Sequence, residues 1–148
     1  MPFRFALAPL LRLRQSVERQ RALRLREASL AVARAQEALA QLDRFLADSA
    51  QSDSASLLAG RRAAELQFAS LYLENLGRLR DEFESEVHEL ELTRQKAAAA
   101  YHQAFREREV IETMRARQRR DYQREELHRE QRQLDAAHLL QRWRRRSG

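Results

Sequence analysis

The chain has 148 residues, of which 34% are charged and 7% aromatic, with 28 Lys+Arg against 22 Asp+Glu for a net charge of +6. So few large apolar groups leave a globular core thin, and the absence of cysteine excludes a disulfide framework or a thiolate metal site and suits a reducing compartment. Roughly 18 apolar residues never run together, which excludes a membrane-spanning helix.

In the opening residues, the apolar stretch from Phe5 to Leu11 is followed at once by Arg12 and Arg14, too short and poorly ordered for a signal peptide. Pro9 suits the first turn of a helix, where its missing N–H has no partner and its fixed φ is already helical. Leu25, Ala28, Val32, Ala35, Leu39, Leu42 and Leu46 follow at alternating spacings of three and four, which lines one helix face. The spacing predicts helix 1 over about 8–50.

The stretch from Asp48 to Gly60 concentrates Ser and Asp, whose side chains compete with the helix for backbone partners. It predicts a serine-rich loop over about 51–60. Helix 2 is expected over about 61–144, because no proline interrupts the chain after Pro9 and the only glycines are Gly60, Gly77 and Gly148.

Two heptad series mark the seam of helix 2: Leu76, Phe83, Leu90, Ala97, Ala104 and Ile111, with the companions Leu73, Arg80, Val87, Arg94, Tyr101 and Arg108. The expected fold is all-α, one domain over 1–148, a long antiparallel two-helix coiled coil with a short serine-rich loop and an overhanging C-terminal helix. At 1.5 Å per residue, helix 1 reaches about 65 Å and helix 2 about 120 Å, so about the last 40 residues of helix 2 are expected to overhang. Arginines at seam positions lower stability unless their heads reach carboxylates of helix 1, such as Glu18, Glu27 or Glu37.

Nothing in the chain carries catalytic chemistry. The histidines at 88, 102, 128 and 138 are scattered, and there is no phosphate loop, nucleophile elbow or thiol. No enzyme activity, cofactor or metal is expected, so the residues act by contact.

Two regions invite such contact. Near the loop, Leu42, Phe45 and Leu46 with Phe68, Leu71, Tyr72, Leu73, Leu76 and Leu79 exceed what a two-position seam buries. Either the loop, with Leu57 and Leu58, folds over them, or they form a partner-facing patch. At the other end, residues 106–148 carry 13 arginines against eight acids.

Three stretches resemble the FliJ family of flagellar export proteins: the opening Phe3-x-Phe5-x-Leu7-x-x-Leu10-Leu11-x-Leu13-Arg14 with Glu18; Phe68, Tyr72, Leu76 and Leu79 after the loop; and Glu130-Gln131-x-x-Leu134-Asp135 near the end. The resemblance implies a cytoplasmic component of the flagellar type III export apparatus, peripherally associated with the inner membrane. It implies binding to the hexameric export ATPase as a central stalk, contact with the export gate membrane protein FlhA, and escort of substrate chaperones.

Carried onto this chain, the gate-binding residues are Leu42, Phe45, Tyr72, Leu76 and Leu79, with Phe83 where other members can have histidine. The ATPase-facing residues are Arg117, Arg119, Arg120, Arg124 and Arg129.

The stalk of a virulence type III secretion system shares these expectations. A basic coiled coil binding nucleic acid and a dimerising scaffold are the alternatives of another class. Eight interspersed acids and few stacking aromatics speak against specific nucleic-acid binding.

Overall fold

A computed structural model describes residues 2–60 and 62–148, and all their side chains except those of 56–58. Two helices make up the fold, α1 (Ala8–Leu58) and α2 (Ala63–Arg146), and they pack against each other. Their contacts sort into two units: Met1–Glu18 with Gln103–Gly148, and Arg19–His102.

In the first unit, Phe3, Phe5 and Leu7 lead into α1, whose first turn is set by the Ala8 N–H donating to the Phe5 carbonyl at 3.1 Å. Phe5, Leu11 and Ile111 form the buried core, with Phe3, Leu7 and Ala8 packed around it. Leu11 is 3% exposed and Ile111 7%, and burial of side chains this large contributes about 1.5–3 kcal/mol each. The Phe3 ring meets that of Tyr122 at 5.7 Å, and Arg14 pairs with Glu107, so the two segments run antiparallel.

That N-terminal cover ends at Tyr122. The uncovered part of α2 is therefore 123–146, shorter than the expected 40 residues, because the extended residues before α1 also lie along α2. From 127 onward every residue is exposed.

The second unit pairs the rest of α1 with α2 up to His102, also antiparallel. Val32 is buried, and Leu25, Ala28, Ala35, Leu39, Leu42 and Leu46 are half-buried beside it. On α2, Leu73, Leu76, Phe83, Val87, Leu90, Ala97 and Tyr101 are half-buried. Every residue of both expected seam series is withdrawn from solvent, in one unit or the other.

The expected serine-rich loop is a correction. α1 continues through 51–58, and the turn is confined to 59–62, of which Arg61 lies outside the described residues. Ser and Asp cost a helix only a few tenths of a kcal/mol each, and no proline or glycine stands between Asp48 and Ala59. The Ser54 hydroxyl donates to the Ala50 carbonyl at 2.9 Å, satisfied without leaving the helix.

Gly60 reverses the chain at φ 82°, a left-handed conformation in which a Cβ is strained. The Arg62 carbonyl then accepts from the Glu65 and Leu66 N–H groups at 3.1 and 3.3 Å, starting α2, with Glu65 in its first turn where an acid suits the helix dipole.

Candidate partner-binding surfaces

The apolar surplus around the turn divides cleanly within the second unit. Leu42, Leu46, Leu73 and Leu76 are half-buried toward the seam. Phe45, Tyr72 and Leu79 remain 47%, 49% and 38% exposed, and Phe68 and Leu71 more so, at 76% and 60%. Two of the five expected gate-binding residues, Leu42 and Leu76, thus serve the seam, while Phe45, Tyr72 and Leu79 face solvent.

Phe68 and Leu71 belong to this surface but were not among the expected gate-binding residues. Ala64, Glu65, Phe68, Ala69 and Tyr72 line a shallow concavity on α2. The signal was present in the i, i+4, i+8 spacing of Ala64, Phe68 and Tyr72, which puts them on one stripe away from the heptad positions. Folding of the expected loop over the patch is not what 51–58 do, since their backbone is helical. The side chains of Leu57 and Leu58 lie outside the described residues.

The seam arginines are handled in three ways. In the second unit, Arg80 crosses from α2 to Asp43 of α1, Nε to Oδ1 at 2.7 Å, and holds Glu84 at 2.8 Å. Those hydrogen bonds, Asp43 first, raise its pKa further. Arg94 stays on its own helix, its Nε 2.9 Å from Glu91 Oε2, and that hydrogen bond holds the Glu91 carboxyl below its ordinary value. In the first unit, Arg108 pairs with Glu18 of α1 and Glu112 of α2, its guanidinium also 5.0 Å from the Phe105 ring.

Of the three carboxylates expected to receive these arginines, Glu18 alone does so. Asp43, which was not among the three, stands opposite Arg80, and Glu37 accepts from Arg44 seven residues along α1 at 3.2 Å. Glu27 is exposed, and an acid three residues back on the same helix is nearer to Arg94.

The basic surface belongs to the first unit. Arg117, Arg119, Arg120, Arg124 and Arg129 are all exposed on α2. Arg129 reaches Glu126 at 3.1 Å and Arg124 reaches Asp121 at 3.9 Å. Exposed pairs of this kind contribute about 0–1 kcal/mol, so a partner's carboxylate can replace the local one at little cost. No helix of the described residues is long and apolar enough to cross a membrane.

Two long packed helices, a seam held by cross-helix ion pairs, and exposed apolar and basic surfaces define a coiled-coil protein that works by contact. Residues 3–148 match the family described as Flagellar FliJ protein, and the chain belongs to the FliJ family. It is therefore a component of the flagellar type III export machinery, in a family of non-catalytic export proteins. No curated protein and no solved structure matches it.

Proposed function

We propose that this protein is the central stalk of the hexameric export ATPase, couples that ring to the export gate protein FlhA, and escorts substrate chaperones. The observation that carries the reading is the set of exposed arginines on α2, Arg117, Arg119, Arg120, Arg124 and Arg129. A basic helix gains encounter rate and orientation from an acidic channel. A single asymmetric helix cannot contact six subunits equally, so it biases their nucleotide states and favours the assembled ring.

Phe45, Tyr72 and Leu79, with the seam-side Leu42 and Leu76 supporting them, form the gate-facing surface in this reading. The protein then works in the cytoplasm, held peripherally at the inner membrane by its partners, without catalysis or cofactor of its own.

The test is ATP hydrolysis by the export ATPase of the same organism, with the intact protein and with a variant carrying Gln at 117, 119, 120, 124 and 129. Stimulation by the intact protein that falls several-fold in the variant supports the stalk. An unchanged hydrolysis rate and ring population with the intact protein removes it.

A further inference from the structure

We propose that the last turns of α2, Ala136–Arg146, bind the surface of an anionic lipid bilayer. Ala136, Leu139, Leu140 and Trp143 recur at i, i+3, i+4 and i+7, which gathers them within about 100° of the helix circumference. None of them is covered: Leu139, Leu140 and Trp143 are 65%, 62% and 76% exposed.

Arg144 and Arg146 fall on either side of that arc, where long stems lie along an apolar boundary while their heads reach polar groups. Arg142 and Arg145 lie on the back, and no acidic residue occurs from Ala136 to Gly148. In this segment the positive charge has no local counter-charge, unlike at Arg124 and Arg129.

An apolar stripe with tryptophan and leucine, bordered and backed by arginine, has the pattern of a helix lying in a membrane interface. A laterally continuous anionic surface attracts all four arginines at once, including those on the back, within a Debye length. A phosphate backbone attracts the arginines equally but offers Leu139 and Leu140 nothing to bury against. The inference does not depend on the stalk reading.

Trp143 is the only tryptophan of the chain, so its emission in the full-length protein reports this segment alone. The protein is titrated with vesicles of phosphatidylglycerol mixed with phosphatidylcholine, and with phosphatidylcholine alone. The expected result is a blue shift and co-sedimentation with the anionic vesicles only, weakened by salt. Leu139→Ser with Leu140→Ser abolishes the blue shift, and Arg144→Gln with Arg145→Gln lowers vesicle affinity about 30-fold.

No shift on anionic vesicles overturns the proposal. So does undiminished binding and emission shift by the Leu139→Ser, Leu140→Ser variant, which reduces the contact to charge. An equal shift on soluble polyglutamate or duplex DNA assigns the segment to an acidic macromolecule and overturns the lipid assignment.

Discussion

Arg108 of α2 and Glu18 of α1 form an ion pair withdrawn from solvent, with side chains 19% and 16% exposed, at a seam position where a coiled coil ordinarily places an apolar residue. Glu112, one turn on, holds the same guanidinium. The Glu18 hydrogen bond is the foremost reason the Arg108 pKa is raised.

Removing Glu18 leaves the half-buried guanidinium with Glu112 alone, whereas replacing both Glu18 and Arg108 by apolar groups need cost nothing. Glu18→Gln is therefore expected to lower the melting temperature by several degrees, and Glu18→Leu with Arg108→Met to recover most of the loss. Melting followed by circular dichroism checks this. Losses that simply add in the double variant contradict the pairing.

The cross-helix pair in the second unit fixes a register that chemistry can read. The chain has no cysteine, so Asp43→Cys with Arg80→Cys introduces the only thiols. The 2.7 Å contact between the native side chains predicts rapid intramolecular cross-linking by a short bis-maleimide. Asp43→Cys with Arg94→Cys, two heptads along, is expected to cross-link at least tenfold more slowly, and equal rates exclude the register.

Acid acts through Glu91. Its carboxyl is held below the ordinary value of 4.5, chiefly by the Arg94 hydrogen bond. A depressed folded-state pKa means the pair's contribution is complete above 4.5, shrinks as pH falls below it, and is gone once pH passes the folded-state value. Glu91→Gln is therefore expected to melt slightly lower than the parent at pH 7 and to converge with it at low pH. Parallel melting curves across that range contradict the pairing.

How much of this was legible in the sequence depended on periodicity. The heptad series on α2 holds at every position, because burial between two helices leaves a repeat that survives alanines at 97 and 104 and arginines at 80, 94 and 108, but the α1 series began at Leu25 and left out the buried Leu11. The serine-rich break failed because mild propensity penalties do not end a helix, and because Ser54 finds an acceptor inside it. Arg80's partner was missed for a different reason. A side chain as long as arginine selects among several carboxylates by register, and register is not written in one strand of the seam.

The apolar patch separates function from stability. Phe45 and Tyr72 are about half exposed, so Phe45→Ala and Tyr72→Ala are each expected to cost only about 1 kcal/mol of stability. In the gate-facing reading both weaken capture of the FlhA cytoplasmic domain by tenfold or more, which calorimetric titration measures. Phe68→Ala, at the most exposed ring of the patch, is expected to behave likewise, and unaltered affinity in all three moves gate binding elsewhere.

The stalk reading is tested most directly by cross-linking from a single position inside assembled complexes. A photoreactive residue at position 120, on the exposed basic run of α2, should cross-link to the export ATPase only when its ring is assembled, and one at position 72 should cross-link to FlhA. A position-120 adduct that forms equally with ATPase monomers, or no ATPase adduct at all while position 72 still captures the gate, would contradict the stalk.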